Sequence, residues 1–460
     1  MLVCSIKEKN TSLILKKLKK AKNADLIELR LDGLKYLQID EIKNLIKQIS
    51  KPVIFTLRPK RQMGEYEQIE NERIKQIESL LELQPDFFDV EYDVDRFILQ
   101  KWKKKFPNTK FVLSYHSKIF PKNLNGIFQK MISMKVFGYK IAVLPSSFDE
   151  LDLFYGFALK NIKKHRLSAI AMGDKYSFFR LLMANNLFNY AVIDNPVVKG
   201  QMTLDEALYL YRIKKINEKT KFYALIGHPI NKSIGHIFHN QCFFKKKYDA
   251  VYVKISVLKE EMLSFMRFAK KIFSGFSITS PLKETAMQYV DKVDKTLFSI
   301  NTAIKKEGKW IGFNTDILAA SSFFNKKAVK DKKIAILGGG GAAKAIALAL
   351  KREKIKISFF VRDIKKIMPF VKENGFFCFL LSEKLNVKID VLINTIPIVD
   401  RLLINEDVFH PEMSVMDIVW PENETTGLIE FANKKKCMII DAFSFFYVQA
   451  KFQQKLFVCY

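Results

Sequence analysis

Cysteine, tryptophan and histidine are scarce in this chain of 460 residues, which holds five Cys, three Trp and six His. Cys4, Cys242, Cys378, Cys437 and Cys459 are odd in number, widely scattered and contain no C-x-x-C. That pattern excludes a disulfide framework and a zinc ribbon, implies no metal site, and points to reduced thiols in a cytoplasm. No apolar run approaches the roughly 20 residues that a membrane span needs. The first residues, Met1-Leu-Val-Cys-Ser-Ile-Lys-Glu, lack the apolar stretch of a signal peptide, so no membrane partner is expected. Acidic residues are outnumbered, 48 against 77 Lys and Arg, for a formal charge of +29. So basic a chain invites a nucleic-acid reading. Its basic residues recur along the whole length, as in Lys16-Lys17, Lys103-Lys-Lys105, Lys245-Lys-Lys247 and Lys434-Lys-Lys436. No arm or aromatic-interleaved stripe collects them, so they read as solvated faces and no nucleic-acid partner is expected.

The hydrophobic content of 48% is ample for real cores, and the length calls for two or three domains. In the first half, short apolar runs alternate with charged helical stretches. Candidate strands fall at residues 2–4, 26–29, 53–57, 87–90, 111–114, 139–143, 168–171 and 190–193. Eight strand–helix units in this length fit a closed (β/α)₈ TIM barrel. Polar residues stand where those strands end: Glu28 and Arg30, Arg58, Glu91 and His116. In such barrels the C-terminal strand ends form the active face.

Lys140 enters an apolar run, Ile141-Ala-Val-Leu144, that reads as a buried strand. A buried ammonium is costly, so it loses its proton easily and becomes a nucleophile toward carbonyls. A Schiff base with a ketone would withdraw electrons from the neighbouring carbon. His116, in Ser114-Tyr-His116, could then move a proton near neutral pH. Arg180 could hold a substrate carboxylate through its guanidinium fork. Glu28-Leu-Arg30-Leu-Asp32, Thr56-Leu-Arg58-Pro59, Ser114-Tyr-His116, Lys140-Ile-Ala-Val-Leu-Pro145, Met172-Gly-x₆-Arg180 and Gly200-Gln201 together resemble type I 3-dehydroquinate dehydratase. The resemblance implies Lys140 as the Schiff-base lysine and His116 as the acid/base. It implies Glu28, Arg30, Arg58, Arg180 and Gln201 as substrate contacts. The chain departs from that family at Gln62, where a glutamate is usual, and at Val197, where a serine is. Glu65 is a neighbouring carboxylate that could stand in for the missing glutamate.

The stretch 213–221 is polar and reads as a linker. A strand at 222–226 then runs into Gly227-His-Pro-Ile-Asn-Lys-Ser233. Further on, a strand at 332–337 precedes Gly338-Gly339-Gly340-Gly341-Ala342 and a helix to residue 350, with a second strand at 356–361. A glycine turn between strand and helix can receive a pyrophosphate on backbone N–H groups. Arg362-Asp363 ends that second strand. A carboxylate there favours the free ribose of NAD and an arginine the 2′-phosphate of NADP; NADP is the preferred cofactor.

Lys283, in Thr279-Ser-Pro-Leu-Lys283, and Asp316, in Gly312-Phe-Asn314-Thr315-Asp316, form a pair able to relay a proton to a carbonyl oxygen as hydride arrives. These motifs, with Ile226-Gly-His-Pro-Ile-x-x-Ser233, His239-Asn240, Asn301-Thr302, Asn394-Thr-Ile-Pro397, Asp417-Ile-Val and Gln449-Ala450, resemble shikimate dehydrogenase. The resemblance implies Lys283 and Asp316 as the catalytic pair. Ser233, Thr279, Asn301 and Gln449 would hold the substrate. NADP would lie over Gly338, Gly339, Gly340, Gly341 and Ala342, with Arg362 at the 2′-phosphate. Gly235 and His236 stand where that family's Ser-Pro is usual, Trp420 replaces a common tyrosine and Ala442 a usual glycine.

The expectation is therefore an α/β chain with a dehydratase barrel at 1–216. A substrate-binding lobe follows at 221–324, completed by a return helix at 443–460, with a Rossmann lobe at 325–442. The expected activity is dehydration of 3-dehydroquinate to 3-dehydroshikimate, then NADPH-dependent reduction to shikimate. A quinate/shikimate dehydrogenase carrying a weakened dehydratase is the nearest alternative.

Overall fold

The eight apolar runs of the first half form eight strands: β1 (Leu2–Ile6), β2 (Leu26–Arg30), β3 (Val53–Thr56), β4 (Phe87–Glu91), β5 (Lys110–Ser117), β6 (Gly138–Val143), β7 (Leu167–Ala171) and β8 (Asn189–Ala191). All the pairings are parallel, in the order β7-β6-β5-β4-β3-β2-β1-β8. Among the described residues β7 and β8 share no ladder. Leu187 N donating to Leu167 O (2.9 Å) and Phe188 N donating to Ser168 Oγ (2.9 Å) span that seam and nearly close the barrel. The computed structural model describes residues 1–194, 199–324, 331–351, 355–382, 389–399, 402, 404–421 and 424–459, so Val197 lies outside the described residues.

Strands of such a barrel are buried on both faces, which is why they read as apolar runs with single polar interruptions. Those interruptions fall into register. Glu91 pairs with Ser114, Ser114 with Lys140, and Lys140 with Ser168, so one row of polar side chains crosses β4 to β7. Below it, Val3, Leu26, Ile54, Phe87, Val112 and Phe188 form an apolar floor. Lys140 is thus placed above a dry base and inside a polar layer.

Residues of the chain divide into two compact units: Met1–Thr220 with Leu263–Lys271, and Lys221–Met262 with Ile272–Tyr460. The second unit holds two sheets. β9 (Lys221–Gly227), β10 (Ala250–Ser256), β11 (Phe273–Ile278), β12 (Lys292–Val293), β13 (Thr302–Lys306) and β14 (Lys309–Phe313) form a mixed sheet in the order β10-β9-β11-β13-β14-β12. β15 (Lys333–Leu337), β16 (Lys356–Val361), β17 (Phe377–Leu380), β18 (Val391–Asn394), β19 (Ser414–Asp417) and β20 (Met438–Ile440) form a parallel sheet in the order β17-β16-β15-β18-β19-β20. Numbered within that sheet the order is 3-2-1-4-5-6, the doubly wound dinucleotide topology. Its switch point lies between β15 and β18, directly before the glycine turn. The last helix, Ala442–Cys459, runs back onto the mixed sheet, where Tyr223 Oη donates to Phe457 O (2.8 Å). Among the described residues no helix is long and apolar enough to cross a membrane.

Candidate active sites

Lys140 lies on β6 with its side chain 8% exposed. Its Nζ is 3.2 Å from Asp89 Oδ2, 3.7 Å from Glu28 Oε1 and 4.0 Å from the centre of the Tyr190 ring. Two carboxylates and an aromatic face are the surroundings of an ammonium. The strand buries the lysine together with two carboxylates, Asp89 and Glu28. Glu28 is fixed by the hydroxyls of Ser5 and Thr56, the latter at 2.9 Å.

Arg58 sits just past β3 and is buried. It reaches Asp89 (2.8 Å), Glu91 (3.0 Å) and Ser114 Oγ (2.5 Å). Burial raises the Asp89 carboxyl, but Arg58 and Lys140 outweigh it and hold the group below the ordinary carboxylate range. Glu91, first seen only as a polar strand end, is clamped between Arg58 and Arg73, whose Nη1 lies 2.6 Å from it. Arg30 forms a two-pronged pair with Asp32 at 2.8 and 2.7 Å.

His116 lies on β5. Burial, then the cations Arg58, Lys140 and Arg30, push its imidazole well below the ordinary range, so it is a neutral base at physiological pH. Its Nδ1 is buried and has no hydrogen-bond partner among the described residues. Gln62 does reach His116, but its Oε1 accepts from the backbone N–H at 2.8 Å. Glu65 pairs with Lys7 at 2.5 Å instead of supporting the imidazole. Arg180, in the short helix Phe179–Leu182, donates from Nε to Gly200 O at 2.9 Å, which sets it beside Gln201. Among the described residues no carboxylate pairs with Arg180, and burial lowers its guanidinium to about 10. A buried arginine without an anion is poised to receive one.

Sequence reasoning passed over Asp89, Ser5 and Tyr190. The signal for Asp89 was present: in Phe87-Phe-Asp-Val-Glu91 it lies two residues before Glu91 and so faces the same side of the strand.

In the second unit, Lys283 Nζ is 2.6 Å from Asp316 Oδ2, with side chains 19% and 5% exposed. Asn301 Nδ2 donates to Asp316 Oδ1 at 2.8 Å and to Thr315 Oγ1 at 3.0 Å, while its Oδ1 accepts from Thr315 N at 2.8 Å. Thr315 Oγ1 reaches Gln449 Oε1 at 3.2 Å. Lys283, Asp316, Asn301, Thr315 and Gln449 therefore form one connected set. Thr279 N donates to Ile226 O and His228 N to Ser280 O, which ties the Thr279 loop to the loop carrying Ser233. Ser233 Oγ accepts from Gly235 N at 3.3 Å.

The glycine turn fits a dinucleotide. Gly338 has φ +102°, and a Cβ there would fall 2.4 Å from Thr395 Oγ1. A Cβ on Gly340 would meet nothing within 4 Å, so open space lies over the turn. A Cβ on Gly341 would lie 3.3 Å from Lys283 Cβ, which brings the turn against that lysine. At the end of the second strand of that fold Asp363 caps the helix Ile364–Asn374, accepting from Lys365 N at 3.0 Å, and Arg362 beside it is exposed. Among the described residues no group of His, Cys, Asp and Glu could hold a metal ion.

A buried lysine between carboxylates in a parallel barrel and a Lys–Asp pair beside a dinucleotide fold are the features of a two-site enzyme of carbonyl chemistry. Type I 3-dehydroquinase matches residues 2–218, and the shikimate dehydrogenase substrate binding domain matches residues 225–303. The chain is 32% identical over 455 residues to the shikimate biosynthesis protein AroDE of Chlamydia pneumoniae, covering 93% of this chain and 89% of that one. It is 29% identical over 472 residues to the chloroplastic bifunctional 3-dehydroquinate dehydratase/shikimate dehydrogenase of Arabidopsis thaliana, covering 94% and 77%. A shikimate dehydrogenase (NADP(+)) of Methanocaldococcus jannaschii is 34% identical over 243 residues, covering 47% of this chain and 83% of that one. The chain belongs to the family of fused 3-dehydroquinate dehydratase–shikimate dehydrogenases.

Proposed function

We infer that the chain dehydrates 3-dehydroquinate to 3-dehydroshikimate at Lys140 and reduces that product to shikimate at Lys283 and Asp316, with NADPH as cofactor. One observation carries the reading: a single chain holds candidate residue sets for two consecutive reactions, in a family whose Arabidopsis thaliana member carries both activities in its name. Residues 1–216 would form the dehydratase, 221–324 with the return helix the substrate lobe, and 325–442 the cofactor lobe. The substrates are small molecules; the spread of basic residues supports no nucleic-acid partner, and the scattered cysteines support a cytoplasmic location.

In the barrel, Lys140 condenses with the ketone. Its ammonium gives up two protons, the carbonyl oxygen leaves as water, and one positive charge remains on the iminium. Neutral His116 then takes a proton from the adjacent carbon and returns one to the departing hydroxyl. Arg180 holds the substrate carboxylate, with Glu28, Arg30, Arg58 and Gln201 around the ring. In the second site NADPH supplies hydride. Lys283, held by Asp316, gives a proton to the carbonyl oxygen, and Ser233, Thr279, Asn301 and Gln449 orient the substrate. Gly338, Gly339, Gly340, Gly341 and Ala342 would receive the pyrophosphate, and Arg362 the 2′-phosphate.

The test is a coupled assay in which 3-dehydroquinate and NADPH are supplied and shikimate is measured. Folded protein that yields no shikimate refutes the bifunctional reading. The position of Gln62 on the His116 backbone motivates the alternative, a dehydrogenase with a weakened dehydratase. Borohydride trapping decides it: no adduct on Lys140 with 3-dehydroquinate, while reduction persists, selects that alternative.

A further inference from the structure

Asp89 is buried to 1% exposure and faces two cations of the barrel, Lys140 and Arg58. Its Oδ2 is 3.2 Å from Lys140 Nζ, and its Oδ1 accepts from Arg58 (2.8 Å) and from Ser114 Oγ (2.5 Å). Glu28 lies farther from Nζ, at 3.7 Å, and is already engaged by the hydroxyls of Ser5 and Thr56. Resting on the dehydratase reading of Lys140, we propose that Asp89 is a further catalytic residue, the counter-ion of the protonated Schiff base that Lys140 forms.

The charge balance of the covalent step supplies the reason. The lysine ammonium and the ketone become an iminium and a water, with one positive charge on nitrogen before and after. The nitrogen lone pair forms the C–N bond, and the carbonyl oxygen departs with its bonding electrons and two protons. Asp89 therefore faces a cation at rest and again in the intermediate, and it need not change its own charge. That arrangement is preorganised: the carboxylate is already anchored by Ser114 and Arg58 when the iminium forms. The iminium is the electron sink for loss of the neighbouring proton, so a counter-ion acts on the step that follows. Opposing this, Arg58, Arg30 and His116 crowd the site with actual or potential positive charge, while Glu28, Glu91 and the Tyr190 ring are the remaining groups around it. Without Asp89, the cationic nitrogen would keep Glu28 as its neighbouring anion and face Arg58 with one less intervening carboxylate.

The experiment is borohydride trapping of the full chain with 3-dehydroquinate from pH 6 to pH 9, read by mass spectrometry of the Lys140 peptide, beside steady-state dehydration. The unsubstituted protein should trap the adduct across the range; a failure there refutes the dehydratase reading itself. Asp89→Asn keeps the shape and removes the charge. Its trapped fraction should fall steeply as pH rises, because an iminium without a counter-ion deprotonates more readily, and its kcat should fall about 100-fold or more. Ser114→Ala removes an anchor but no charge and should keep the flat pH profile. Trapping in Asp89→Asn that matches the unsubstituted protein at every pH overturns the proposal, as does the same pH-dependent loss in Ser114→Ala. Should Asp89→Asn not fold, Asp89→Ala is assayed with added formate: recovery of trapping by formate and not by formamide supports the counter-ion, and any other result overturns it.

Discussion

Lys140 and Lys283 each stand beside an aspartate, and little else about their surroundings agrees. Lys140 is 8% exposed, lies between two carboxylates and an aromatic ring, and shares Asp89 with Arg58. Lys283 is 19% exposed and has one carboxylate at 2.6 Å, itself oriented by Asn301. The difference fits the roles proposed for the two nitrogens. A lysine that forms a covalent iminium keeps one positive charge through the step, so it can be sealed among fixed counter-charges. A lysine that gives a proton to an alkoxide has to be recharged, so it needs access to water. Burial separates a nucleophile from a proton relay, although both are lysines next to aspartates.

The sharpest test of that contrast is a reciprocal swap. Lys140→Met should abolish dehydration, by on the order of 10⁴-fold or more in kcat, because the amine proposed to form the adduct is gone. Such a protein should still reduce supplied 3-dehydroshikimate. Lys283→Met should lose reduction by roughly 10²- to 10⁴-fold, the range of a lost general acid, while dehydration continues. The two reactions are followed separately, by product absorbance and by NADPH consumption. Loss of both activities from either single change would break the comparison.

Asn301 lets the second site be probed one bond away from its lysine. Its amide donates to Asp316 Oδ1 at 2.8 Å. A hydrogen bond to a charged group is worth about 1.5–3 kcal/mol, so Asn301→Ala should cost roughly 10- to 100-fold in kcat for reduction. The checking measurement is kcat against KM for 3-dehydroshikimate. A rise in KM alone would leave Asn301 with its proposed substrate contact and remove it as the residue that aims Asp316.

Both lysines were legible in the sequence, and the reason is local. Lys140 interrupts a strand of apolar residues, and Lys283 follows a Thr-Ser-Pro turn, so each stands out against its neighbours. The eight strands were legible for the same reason, since period and apolar runs carry that signal. Strand ends shifted by a residue or more: the last was expected at 190–193 and runs Asn189–Ala191, because Val192 bridges to Thr203 outside the ladder. Partnerships across the barrel were not legible. Asp89 and Lys140 are 51 positions apart, and only the parallel register brings them together. Sequence reasoning also made burial the cause of reactivity at Lys140, which omits the carboxylates that the same burial encloses. The helix cap at Asp363 was likewise not legible from side-chain chemistry alone.

Acidity offers a milder probe of the barrel. The imidazole of His116 is pushed below its usual range by burial and by Arg58, Lys140 and Arg30. A base of lowered pKa stays neutral until the pH falls through that lowered value. The acid limb of kcat/KM for dehydration should therefore lie below pH about 6.5, the ordinary imidazole value. Gln62→Glu places an anion beside the His116 backbone, favours the imidazolium, and should move that limb upward with a rate change of only a few-fold. A limb that stays fixed in Gln62→Glu would show that residue 62 does not reach the imidazole field. Reduction at Lys283 should keep its pH profile in the same variant.

A comparably small effect is expected at Gly235. A hydroxyl added there would give the second site one more donor for its substrate, of the kind that the buried barrel already supplies in abundance. The backbone permits it: a Cβ on Gly235 would lie 3.5 Å from Ser233 Oγ and 3.7 Å from Tyr252 Oη, both ordinary contacts. Ser233 Oγ already accepts from Gly235 N at 3.3 Å, so the turn need not change to hold a serine. One neutral hydrogen bond contributes about 0.5–1.5 kcal/mol, which corresponds to a KM about two- to tenfold lower for 3-dehydroshikimate in Gly235→Ser. Because the group acts equally on bound substrate and transition state, kcat should not move. A fall in kcat with KM unchanged would mean that the added side chain disturbs the Lys283–Asp316 pair, and that the partly open site tolerates change less well than its single ion pair suggests.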